Sequence, residues 1–181
     1  SSTTSTTYYI PSSLRSVTVT GGNILYGAFY NCSSLTEIVI PDSVISIGEY
    51  AFAGCSSLTG IVIPDGVTSI GGYAFSGCSS LTSVEIPDSI TTIGNSAFYN
   101  CYAIKSVSIP NSVIQIGDKA FSGGRNLRDV KIPDSIIRTG LEAFDGCDKL
   151  KSVTISAKTE YYPDSFPKDC KIIKEAALNS R

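Results

Sequence analysis

The chain has 181 residues, long enough for one ordinary domain with a substantial core. Charged residues make up only 17% of it, so Ser, Thr, Asn and Gly must cover much of the surface, a composition common outside cells. A formal net charge of -2 without histidine supplies no field to attract nucleic acid or an anionic membrane, and no apolar run approaches the ~20 residues of a membrane span; nucleic-acid binding and direct membrane insertion are both set aside.

Residues 1–7, SSTTSTT, read as a disordered tail without the basic-then-apolar layout of a signal peptide. With no Met, even at position 1, the chain reads as a mature or excised segment of a longer protein. About residues 8–30 form an N-terminal cap coil. In it Leu14-Arg15-Ser16-Val17-Thr18-Val19 alternates as a strand does, but Leu14 precedes Leu35 by 21 residues, and Thr20-Gly21-Gly22 stands where later coils have a proline turn.

Regular coils run from about residue 31 to 155 on a strict 23-residue period, which overrides any element-by-element reading. Phe29, Phe52, Phe75, Phe98, Phe121 and Phe144 follow one another at that step, each preceded by Ala. Cys32, Cys55, Cys78 and Cys101 keep it too; Gly124 fills the fifth place, and Cys147 and Cys170 resume it. The repeat is L-x-x-[IV]-x-I-P-[DN]-x-[VI]-x-x-I-G-x-x-A-F-x-x-C-x-x. Its L-x-x-V-x-I part predicts one half-buried strand per coil, stacked into a parallel sheet. Proline at 41, 64, 87, 110 and 133 ends each strand, and the Asp or Asn after it caps a turn through its side chain. The chain then returns through Ser46-Ile47-Gly48 and its equivalents, where Gly48, Gly71, Gly94, Gly117 and Gly140 suit a tight or positive-φ bend. Ala-Phe-x-x-Cys is too short for a stable helix and predicts a 3₁₀ or single helical turn that places Phe inside. A lone coil cannot bury enough apolar surface, so the fold is a repeat solenoid, mainly β, stabilised by neighbour stacking.

An irregular C-terminal cap occupies about residues 156–174. Ser156 replaces proline, Tyr161-Tyr162-Pro163 interrupts the return side, and Phe166 follows Phe144 by 22 residues. The last strand falls on Cys170-Lys171-Ile172-Ile173, and residues 175–181 read as a tail, leaving one solenoid over 8–174.

The segment IPDSVISIGEYAFAGCSSLTGIVIP, from Ile40 to Pro64, resembles the BspA-type (Treponema-type) leucine-rich-repeat family, and the resemblance runs from about residue 14 to 155 without a gap. It implies a curved, right-handed solenoid with its parallel sheet on the concave face. It also implies bacterial surface or secreted proteins, and some protist surface proteins, that serve adhesion and host-protein binding. Gly124 for Cys, Thr139 for Ile and Ser156 for Pro are departures from the pattern.

Most residues with chemical potential already have work in the repeat. Stacked coils would place cysteine Cβ atoms near the ~4.8 Å strand spacing, beyond the 3.5–4.5 Å that a disulfide prefers. With no CxxC pair and no histidine a metal site is not expected, and the cysteines read as buried thiols acting as small hydrophobes. The column Asp42, Asp65, Asp88, Asn111 and Asp134 reads as turn residues rather than a calcium ladder. Without histidine no Ser-His or Cys-His pair can be assembled, and no glycine-rich phosphate loop occurs, so neither catalysis nor a cofactor is expected. The sequon Asn31-Cys32-Ser33 reads as chance.

The positions that the period leaves free lie on the outer face of the strands. Arg15, Glu37, Val39, Val62 and Glu85 give the first coils a neutral-to-acidic character, whereas Lys105, Arg128, Lys131 and Lys151 form a basic strip in the later ones. The plain reading is that lysine solubilises an exposed sheet; the functional reading is a docking face for an acidic protein or a polyanionic glycan. Two function classes follow: a monomeric, protein-binding or adhesin segment that takes a host or extracellular macromolecule on this face, or a spacer that presents another module and binds nothing.

Overall fold

A strand alternates its side chains, so the Val or Ile of each L-x-x-[IV]-x stretch turns inward while its neighbours face water. The computed structural model, which describes residues 10–175, shows this in every coil. Numbered in chain order, the strands of this first side are β1 (Ser16–Thr18), β2 (Glu37–Val39), β3 (Gly60–Val62), β5 (Ser83–Glu85), β7 (Ser106–Ser108), β9 (Asp129–Lys131), β11 (Ser152–Ser156) and β12 (Lys171–Glu175). Ile38, Ile61, Val84 and Val107 are buried at their centres, flanked by exposed residues. Proline limits these strands to three residues, because it has no N–H to extend the ladder. Where Ser156 replaces it, β11 runs to five and pairs with β12 over all five.

All pairing is parallel. Gly60 lies opposite Ser83 and Ser106 opposite Asp129, each 23 residues apart, whereas Ser16 meets Glu37 after 21 and Ser152 meets Lys171 after 19. Both end coils are therefore short. The last strand begins at Lys171 and continues to Glu175, two residues beyond its expected end. Of the two expected tails, residues 1–7 lie outside the described residues, and so does the second apart from Glu175.

The first side is not one continuous ladder. It is hydrogen-bonded in four pairs: β1–β2, β3–β5, β7–β9 and β11–β12. The continuous ladder lies on the return side, where β4 (Ser69–Ile70), β6 (Thr92–Ile93), β8 (Gln115–Ile116) and β10 (Arg138–Thr139) stack in that order. Single bridges from Ile24 to Ile47 to Ile70 extend it towards the N-terminus. The Ser-Ile-Gly stretch, expected as the return along the opposite side, is thus a second row of strands.

Its glycines serve a different purpose from the one expected. Gly48, Gly71, Gly94, Gly117 and Gly140 do not have positive φ. They are needed because the coils touch there: a Cβ on Gly94 would sit 2.7 Å from the carbonyl carbon of Gly71, the nitrogen of Gly72 and the oxygen of Ile70. The equivalent residue of the first coil is Leu25, 70% exposed, with no described coil beneath it.

No helix occurs among the described residues, so Ala-Phe-x-x-Cys is not the 3₁₀ or helical turn anticipated. In the coil of Phe52, the N–H groups of Ala51, Ala53 and Cys55 donate to the carbonyls of Gly48, Tyr50 and Phe52 within the coil. The intervening N–H groups of Tyr50, Phe52 and Gly54 donate to Gly72, Ala74 and Ser76 of the next coil, at 3.0, 2.7 and 2.7 Å. A helix needs successive intracoil bonds; here every second amide is committed to a neighbour. Overlapping turns of this kind put two columns of residues at positive φ. One contains only Gly and Asn: Asn31, Gly54, Gly77, Asn100, Gly123 and Gly146. The other carries Tyr50, Tyr73, Ser96, Lys119 and Glu142, non-glycine residues for which this conformation costs about 1–2 kcal/mol each.

Inside the coil, all seven phenylalanines form one stack from Phe29 to Phe166, with adjacent centroids 5.2 or 5.3 Å apart and planes within 7°. Columns of buried Leu, Ile and Val line the stack and complete the core.

Candidate functional site

Alternation along the first-side strands places Glu37, Val39, Val62, Glu85 and Lys131 on the exposed surface, and Arg15, Lys105, Arg128 and Lys151, each the residue just before a strand, are exposed as well. Pairing sets Val62 opposite Glu85, Val39 opposite Thr18 and Lys131 opposite Ser108. Val39 and Val62 stand 52% and 70% exposed on β2 and β3, and Glu37, Val62 and Glu85 line a shallow groove over the strands there.

Towards the C-terminus a larger groove runs over β7, β9 and β11. Arg128 and Lys131 line it, together with Asp129, Asp134 and Glu175; Lys105 and Lys151 lie outside it. The groove is therefore lined by both charges, while Lys105 and Lys151 of the expected basic strip stand outside it. Glu175 arrives by the 19-residue step of the last coil, a shift that the 23-residue period could not signal. The ammonium of Lys151 donates to the carbonyl of Asp148 at 2.9 Å. Among the described residues the one ion pair is Lys119–Glu142, 3.1 Å, on another side of the coil. Lys105, Arg128, Lys131 and Lys151 thus keep charges that no neighbouring carboxylate neutralises directly.

Two other sets of residues were candidates for chemistry. The six cysteines are unpaired, and all but Cys170 are buried. Burial pushes the thiols of Cys55, Cys101 and Cys147 up to about 12 and that of Cys78 higher still, and it raises Cys32 and Cys170 as well. A neutral buried thiol is neither nucleophile nor metal ligand, and no group of three or more Cys, Asp or Glu among the described residues is placed to hold a metal. Asp42, Asp65, Asp88 and Asp134 stand exposed after each strand. They do not cap the turn as expected, since it is closed by backbone alone: Val44 N–H to the Pro41 carbonyl at 3.0 Å, and likewise Val67 to Pro64 and Ile90 to Pro87. The serines beside them act instead between coils, Ser89 donating to the Val67 carbonyl and Ser135 to that of Val113.

A protein-family model described as "BspA type Leucine rich repeat region" matches residues 22–109 and 91–181 in six copies. The chain belongs to the BspA-type leucine-rich-repeat family. Among solved structures, this BspA-type chain is similar to the T. pallidum leucine-rich-repeat protein TpLRR, with 30% identity and a TM-score of 0.62 over 75% of this chain and 77% of that one. It is also similar to a leucine-rich-repeat protein from Bacteroides ovatus, at 29% identity and a TM-score of 0.60; the match covers 90% of this chain and 56% of that chain. No curated protein matches it. Leucine-rich-repeat proteins are in general non-enzymatic scaffolds for protein–protein interaction, and no catalytic family is indicated for this one. No helix among the described residues is long and apolar enough to cross a membrane.

Proposed function

We propose that this BspA-type chain is a protein-binding or adhesin segment, displayed outside the cell, that takes an acidic host or extracellular protein on the first-side strand face as a monomer. The observation that carries the reading is the column Lys105, Arg128 and Lys151, exposed on three consecutive coils with Lys131 beside it and without an ion-pair partner. Coil stacking spaces these cations about 4.8 Å apart, a pitch that acidic side chains on a folded partner can meet. A protein is favoured over a polyanionic glycan by Val39 and Val62, whose exposed side chains offer the same face an apolar anchor that a glycan would leave in water. The low share of charged residues and the family's character support display outside the cell.

The test is binding of the whole chain to purified extracellular matrix proteins and, separately, to heparin, at low and high salt. Salt-sensitive binding of an acidic protein, lost when Lys105, Arg128, Lys131 and Lys151 are all changed to Glu, is the expected result. Equal binding by that variant overturns the reading, preferential capture of heparin moves it to a glycan, and no binding at all leaves a spacer.

A further inference from the structure

Charge is divided along the coil stack. From Ser16 to Ile104 the chain carries six carboxylates, Glu37, Asp42, Glu49, Asp65, Glu85 and Asp88, and no Lys or Arg, whereas from Lys105 to Arg181 it carries 13 cations against 10 carboxylates. The repeat does not require this division: the strand position of Glu85 holds Thr18 and Ser108 in other coils, and that of Glu37 holds Ser16, Ser83 and Ser106. A face that is acidic towards one end and basic towards the other is complementary to itself when turned end for end.

Two copies with their strand faces together, related by a twofold axis that runs along the strands through β7, keep the strand direction and reverse the order of the coils. β5 then meets β9 of the second copy, and β2 meets β12. Equivalent strand positions face one another, so Glu85 meets Lys131, Glu37 meets Lys171, and Val39, 52% exposed, meets Ile173, 37% exposed. All six residues are open to solvent in the single chain. Each contact forms twice across the axis, which gives four pairs of opposite charge. Along the strands and the residue before each, like charges meet only where Lys105 lies beside its own copy on the axis. The contact is about 29 Å long and roughly three residues wide, well short of the ~1,200 Å² at which stable interfaces begin, so the pairing is reversible.

We propose that the strand face pairs with the same face of a second copy in this antiparallel arrangement, and that the dimer covers the basic column until an acidic partner displaces it. The displacement rests on the partner-binding reading above, in which the chain takes its partner as a monomer; the pairing itself does not.

Sedimentation equilibrium of the full chain, up to about 1 mM and at low and high salt, measures the pairing. At low salt the mass is expected to rise with concentration from 19.1 kDa towards twice that value and no further, and high salt returns it to the monomer. Glu37→Lys with Glu85→Lys, and separately Lys131→Glu with Lys171→Glu, set like charges opposite one another and weaken pairing on the order of tenfold. These are exposed positions, so the fold is kept. An equimolar mixture of the two variants restores pairing, because each supplies the sign that the other lacks. A mass that stays at 19.1 kDa at low salt, growth past the dimer, or a mixture no heavier than its components overturns the proposal. The Glu37→Lys, Glu85→Lys variant retains Lys105, Arg128, Lys131 and Lys151 and is expected to bind an acidic protein at least as tightly as the original chain. A chain that pairs but binds no acidic protein upholds the pairing and overturns the displacement together with the partner reading.

Discussion

The thiol of Cys78 donates to the carbonyl oxygen of Phe52, 26 residues earlier and one coil away, at 3.2 Å. That same oxygen accepts the N–H of Cys55 at 3.1 Å, so both of its lone pairs are engaged, one within the coil and one from the next. The arrangement recurs from Cys55 to Phe29, Cys101 to Phe75 and Cys147 to Phe121. Cysteine is therefore more than a small hydrophobe here: it is the smallest apolar residue that still brings a donor to a buried carbonyl.

Replacing one such thiol removes a hydrogen bond and leaves a small cavity. Cys78→Ala should lower stability by about 2 kcal/mol in urea unfolding. The exposed and unrelated Ser83→Ala should stay within about 0.5 kcal/mol. An unchanged midpoint for Cys78→Ala would show that the thiol bond contributes nothing.

The raised thiol values also predict how stability varies with pH. Burial holds Cys55, Cys101 and Cys147 at about 12, above the ordinary value of 9.0, so the native state keeps protons that the unfolded chain releases. Their contribution is fully present below pH 9 and is lost as pH rises from 9 towards 12. The urea midpoint should hold steady from about pH 7 to 8.5 and fall steeply by about pH 10.5. A midpoint constant through that upper range would contradict the assignment.

The inter-coil contact at the glycine column makes a sharp contrast between two positions of the same column. Gly94→Ala forces a methyl group to within 2.7 Å of three backbone atoms and should destabilise by about 3 kcal/mol or prevent folding. Leu25→Ala, in the first coil with no described coil beneath it, should shift the thermal midpoint little. Similar effects from both would mean that steric contact is not what selects glycine.

Thr139 stands where Ile47, Ile70, Ile93 and Ile116 precede it. It is fully buried, and its hydroxyl has no hydrogen-bond partner. Thr139→Val keeps the shape and removes the orphaned group, and should raise stability by about 1 kcal/mol in chemical unfolding. A loss of stability would show that the hydroxyl is satisfied in solution, by water or by movement of the C-terminal coil.

Much of the candidate site was legible before the structure, for a simple reason. Outward positions such as Glu37, Val62 and Lys131 are the ones the 23-residue period leaves unconstrained, and strand alternation alone sends them to solvent. What surrounds them was not legible. Asp134 reaches the groove from the turn and Glu175 from a coil four residues short of the period, so carboxylates stand beside Arg128 and Lys131 there. The Gly-or-Asn column from Asn31 to Gly146 did carry a signal for positive φ that a reading centred on Phe and Cys passed over.

The sequence by itself determined the repeating unit, the inward Phe, Leu, Ile and Cys columns, and the shortened first coil, because burial of each side chain is a property that recurs along the chain. Only the tertiary structure decided which backbone groups pair. The continuous ladder on the return side, the alternate amides of the Phe turns given to the next coil, and the glycines held bare by contact all depend on the distance between coils, and that distance exists only once the coils have stacked.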